Sequence, residues 1–150
     1  MTARQEILWR AHTAFISSAQ HYETQRNSVT SLFLIVATAL VGLTTYDNQL
    51  NRSDIPAALF LIVLGIFGCL FAYKHHERCR IHIERAKAYR DELDRTLSGR
   101  PLVKLKAAGE TTHDAGVGRW MRKIKVELLW VGLNFTIVVL GAFLLLDIAT

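Results

Sequence analysis

The chain has 150 residues, of which 51% are apolar and 21% charged, with a formal net charge of +5. That length allows one domain. The charges are segregated: windows 29–46, 55–73 and 126–146 together hold a single charged residue, Glu127. That segregation, with only two cysteines, excludes an ordinary soluble domain, a disulfide-stapled secreted domain and a long disordered chain.

The first polar segment, 1–28, contains neither Gly nor Pro. Leu8, Phe15 and Tyr22 recur every seven residues, with Ala11, Ser18 and Ala19 between them. This predicts a cytoplasmic amphipathic helix. It runs without a break into window 29–46, the first expected span. No small-residue cleavage site follows this apolar run, so it reads as a retained span rather than a signal peptide. Each of the three windows is long enough to cross a hydrocarbon core of about 30 Å as a helix.

Residues 47–54 form a short outer loop, and 55–73 is the second span. No breaker follows until Gly99 and Pro101, so the second helix is expected to continue through 74–98. The two long helices should therefore form a hairpin reaching into the cytoplasm. Its expected contacts pair Val36 with Gly65, Val29 with Ala72, Tyr22 with Cys79, Phe15 with Ala86 and Leu8 with Leu93. Small residues at this seam, Gly65, Gly68 and Ala72 among them, would let the helices approach closely.

Residues 99–125 read as a cytoplasmic loop, with one short helix over 101–108. The stretch 120–125, WMRKIK, is an aromatic and basic lead-in to the third span, 126–146. Residues 147–150 are an outer tail. Glu127 is expected to pair with Arg122 or Lys123. Lys and Arg number three before the first span, one in the outer loop, 14 in 74–125 and none in the tail. The positive-inside rule then places the N-terminus and the long middle segment in the cytoplasm and the C-terminus outside, in an inner membrane. The fold class expected is an all-α membrane protein with three transmembrane helices.

Arg78, Arg80, Arg85, Lys87 and Arg90 form a dense basic run on the second helix. They would meet anionic lipid headgroups or an anionic ligand such as a nucleotide or oligonucleotide. Asn134 is the clearest polar group inside a span; it needs a hydrogen-bonding partner across a helix interface or along a pore. His21, His75, His76 and His82 lack the i, i+4 histidine pair of a helical metal site, although histidine titrates near neutrality. No grouping of nucleophile, base and carboxylate and no phosphate-binding glycine loop is present, so no enzyme activity, metal or cofactor is expected.

The stretch 22–40, YETQRNSVTSLFLIVATAL, resembles the entry into the first span of the RipA family of bacterial octameric membrane proteins. It is also broadly similar to the two-span SLATT effector domains of bacterial conflict systems. The shared pattern is a polar helix carrying Tyr22, Arg26 and Asn27, then an apolar run containing Phe33. A charged helix after the second span and a Trp-containing third span also fit. The resemblance implies a homo-oligomer acting as a pore-forming membrane effector in antiviral defence. The alternative is a non-conducting scaffold or stress-adaptation protein that recruits a cytoplasmic partner protein.

Overall fold

The computed structural model describes residues 1–46, 50–116 and 126–149, with residues 112–116 described as backbone only. The order is α1 (Ala3–Thr44), a 3-10 turn (Arg52–Asp54), α2 (Ile55–Arg95), α3 (Pro101–Gly116) and α4 (Val126–Ala149). Among the described residues there is no strand. Three helical stretches are long and apolar enough to cross a membrane: Ala3–Thr44, Arg52–Arg95 and Val126–Ala149. The basic and aromatic lead-in 120–125, and with it the expected pairing of Glu127 to Arg122 or Lys123, lies outside the described residues.

The entries to α1 and to the turn that leads into α2 are capped by their own sequence. The Thr2 hydroxyl accepts from Gln5 N at 3.3 Å and the Gln5 side chain accepts from Thr2 N at 2.9 Å. This reciprocal pair is a capping box and satisfies two donors at the entry of α1. Asn51 and Asp54 form a second capping box around the 3-10 turn. At the far end of α2 the chain turns through Gly99 at φ +76° and Arg100 at φ +50°. Glycine takes that left-handed backbone without a steric cost.

The stretch 99–125, expected to be loop beyond a helix over 101–108, is corrected here: the helix runs on to Gly116. Pro101 at the first helical position is pre-set for it. Lys104, Lys106, Ala107 and Ala108 are strong formers, and the cost of about 1 kcal/mol at Gly109 does not stop propagation. The carboxylate of Asp94, at the end of α2, accepts from Leu102 N at 2.8 Å. That satisfies a backbone donor at the start of α3 from eight residues away.

The chain divides into two compact units whose boundaries fall inside α1 and α2. Unit 1 is Met1–Glu23 with His76–Lys125, and unit 2 is Thr24–His75 with Val126–Thr150. In unit 1, α1 and α2 run antiparallel: Arg4 pairs with Glu92 at 2.7 Å, and His12 Nδ1 lies 2.9 Å from Ala86 O. The Phe15 ring meets His82 and Tyr89, with the Arg85 guanidinium over its face. Residues 82, 85, 86 and 89 are the four that make a hole for a knob on a facing helix, so Phe15 seats over Ala86. Cys79, Ala86 and Leu93, one heptad apart, are buried.

In unit 2 the same small-residue face of α2 has a different neighbour. A β-carbon built on Gly65 would lie 2.6 Å from Val138 Cγ2 and 2.9 Å from Asn134 O. One built on Gly141 would lie 2.8 Å from Ala58 O. Gly65 therefore packs against α4, not against Val36 as the hairpin register predicts. The reason is that α2 has two neighbours in this unit. Glycines on both α2 and α4 permit the close approach, and α1 is held instead through Phe33 stacked edge-on to Phe67 at 5.9 Å. Phe33, Ala37, Ala58, Leu61, Ile137 and Leu144 form the core.

Candidate functional site

Gly65, Gly68 and Asn134, expected at a helix interface or pore, come together in the seam between α2 and α4. Asn134 is fully buried. Its amide Nδ2 donates to Trp130 O, one turn back, at 2.9 Å. Its Oδ1 is turned onto the bare Cα of Gly68 and accepts no hydrogen bond. The thiol of the next residue, Cys69, donates to Val131 O at 3.5 Å. Ala72 is buried on the same face of α2. Asn134 thus sits inside unit 2, sealed by its own chain.

The basic run is distributed differently from a single patch. Residues seven apart share a flank of a helix, so Arg78 and Arg85 lie along one side of α2 and Arg80 and Lys87 along another. Three of the five are engaged within unit 1. Arg90 makes two bonds to Asp91 Oδ1, at 2.7 and 3.0 Å. Lys87 donates to Glu84 at 2.8 Å, and Arg85 lies over Phe15 at 5.8 Å. Arg78 and Arg80 are exposed. Glu77 and Glu84 share the outer face of α2 with Arg80, Ile81 and Arg85, so that face carries both signs of charge. The Lys87 hydrogen bond and charge, with smaller help from Arg80 and Lys106, hold the Glu84 carboxyl below its ordinary range.

Three groups have surroundings that the sequence does not reveal. His82 lies between Tyr22, stacked at 5.2 Å, and Phe15 at 5.9 Å, with its Nδ1 buried and unpartnered. Asp94 is fully buried at the junction of α2 and α3, with Arg100 Nε 3.9 Å from its Oδ2. Arg26 is buried over the ring of Trp130. A heptad reading could have flagged His82, since it stands one turn from Ala86. Asp94 and Arg26 look like ordinary helix-surface charges in sequence.

Among the described residues, no group of three or more His, Cys, Asp or Glu stands close enough to hold a metal ion. No family model, no curated protein and no solved structure matches the chain.

Proposed function

We propose that the chain is a homo-oligomeric bacterial inner-membrane protein acting as a pore-forming or membrane-perturbing effector. Its N-terminus and unit 1 would lie in the cytoplasm and its C-terminus outside, with the extended α1 and α2 forming the cytoplasmic hairpin. The observation that carries assembly is apolar surface left open outside the apolar spans. Ile7 is 67% exposed on α1 and Leu105 69% exposed on α3, with Trp9 and Val103 exposed beside them in sequence. Lipid does not cover these residues if the Lys and Arg bias holds unit 1 in the cytoplasm. Burying these side chains against another molecule would remove apolar area from water, and a second copy is the partner always present. The basic flanks of α2 would then be repeated around the assembly and concentrate positive potential for a nucleotide, oligonucleotide or anionic-lipid signal. The similarity to RipA and SLATT proteins supplies the defence setting.

The burial of Asn134 favours a second reading. A polar group buried within its own protomer lines no pore, which suits a non-conducting scaffold that recruits a cytoplasmic protein through unit 1. Native mass measurement of the detergent-purified protein, followed by ion flux from liposomes, separates the two. An oligomer that dissipates an ion gradient supports the effector. An oligomer that leaves the gradient intact with and without the signal supports the scaffold. A monomer at all accessible concentrations removes both.

A further inference from the structure

We propose that the cleft between α1 and α4 in unit 2 is a phospholipid site, in which Arg26 takes the headgroup phosphate and an apolar groove takes an acyl chain. Arg26 is only 7% exposed. No carboxylate pairs with it among the described residues, and its Nε is sealed from solvent without an acceptor. Its guanidinium lies over the Trp130 ring at 5.0 Å. Contact with an aromatic face offsets only part of what burying an unpaired cation costs. A phosphate meeting the two terminal nitrogens, which unlike Nε are not sealed, would supply the missing charge and two acceptors, in the forked geometry that a guanidinium matches. Trp and Arg together are also the side chains expected at headgroup level.

The groove is the second observation. It opens between the same two helices, running from Leu34 to Val41 on α1 and from Thr136 to Leu140 on α4. Its two hydroxyls are turned back onto their own helices: Thr38 donates to Leu34 O and Thr136 to Leu133 O. The lining therefore presents an apolar surface. Arg26 precedes Leu34 on α1 as Trp130 precedes Thr136 on α4, so phosphate end and groove follow the same direction along both helices. At a rise of 1.5 Å per residue the groove spans about 12–22 Å from Arg26. In a core about 30 Å thick that range lies around the midplane, where the distal half of an acyl chain anchored at headgroup level would reach. A free phosphate has no use for the groove, whereas a lipid uses both parts. The site requires the helices to lie in a bilayer; it requires neither assembly nor conduction, so it stands or falls apart from the effector reading.

The test is native mass spectrometry of the full chain in detergent, titrated with phosphatidylglycerol and, in a separate arm, inorganic phosphate. One phosphatidylglycerol per chain is expected on the wild-type protein. Arg26→Gln should weaken it about tenfold or more, the scale of a charge-assisted hydrogen bond, while Arg26→Lys, which keeps the charge but not the fork, should fall between the two. Thr38→Phe, at an exposed position on the groove, should weaken lipid binding and leave helix content by circular dichroism unchanged. Arg10→Gln, at an exposed position of unit 1 outside the basic run, should have no effect. The proposal is overturned if wild-type protein holds no lipid, or if both Arg26→Gln and Thr38→Phe bind it as wild type does. It is equally overturned if inorganic phosphate displaces the lipid at equal concentration.

Discussion

The amide oxygen of Asn134 rests on the Cα of Gly68, in the space where any other residue would place its β-carbon. Gly65, one turn earlier, meets backbone instead: its built β-carbon would lie 2.7 Å from Val138 N and 2.9 Å from Asn134 O. The two glycines should therefore fail differently. Gly68→Ala should cost about 1–3 kcal/mol by overpacking, and Asn134→Ala in the same chain should restore most of that. Gly65→Ala should cost as much or more, and Asn134→Ala should not rescue it, because the obstruction there is main chain. Gly132→Ala, with open space around its Cα, should be neutral or stabilising by up to about 1 kcal/mol. Thermal unfolding in detergent of the four single variants and two doubles measures the coupling. Equal rescue at both glycines would mean that α2 and α4 are not this close.

The three apolar stretches were readable because charge segregation and length are one-dimensional properties. The two long helices were readable because nothing in 3–41 or 57–95 breaks them except glycines within the apolar run of α2. The heptad of small residues on α2 was readable too, but its partner was not. Periodicity says that Gly65, Ala72, Cys79 and Ala86 share a face; it does not say which neighbour covers it. In unit 1 the cover is α1, as Phe15 over Ala86 shows, and in unit 2 Gly65 meets α4. The helix over Pro101–Gly116 was half visible, because Gly109 and Gly116 read as loop signals while its cap, Asp94, lies outside the segment. The five basic residues were legible as a run, but their pairing with Glu84 and Asp91 depends on side-chain direction.

Asp94 should hold α3 in place. Its Oδ1 accepts from Leu102 N and the residue is fully buried. Asp94→Ala removes a cap of the kind worth about 1 kcal/mol. Amide exchange at 102–104 should rise several-fold while exchange in α4 stays unchanged. Asp94→Asn keeps an acceptor and should show a smaller effect. Unchanged exchange in Asp94→Ala would mean that α3 needs no support from α2.

The Glu84–Lys87 pair offers a pH test with a defined sign. Lys87 lowers the folded-state pKa of Glu84 below its ordinary carboxylate value. The pair's contribution is therefore present above the unfolded-state pKa and is lost as pH falls through the folded one. Lys87→Ala should move the Glu84 titration, followed by carbonyl NMR shifts, upward toward the ordinary value. Because the carboxylate is fully exposed, unfolding midpoints at pH 7 should not change measurably. A midpoint shift outside error would show that Lys87 has a further role in the fold.

Ala86 tests the packing of unit 1. It is fully buried, its carbonyl lies against His12 Nδ1, and the Phe15 ring sits over the hole that it helps to form. Ala86→Leu adds three carbons where no space remains and should cost about 1–3 kcal/mol. Ala88→Leu, exposed on the same helix, is the control and should lie within about 0.5 kcal/mol of wild type. The antiparallel register has its own probe. Tyr22 faces His82, one turn from Cys79, and Cys79 Sγ lies 3.8 Å from the Glu23 carboxylate on the neighbouring residue. Tyr22→Cys should therefore form a disulfide with Cys79 under mild oxidation, detectable as a faster-migrating monomer band on a non-reducing gel. Ile16→Cys, two turns nearer the N-terminus, should not. Cross-linking at 16 in preference to 22 would slide α1 along α2 by about 9 Å and would remove Phe15 from the hole around Ala86.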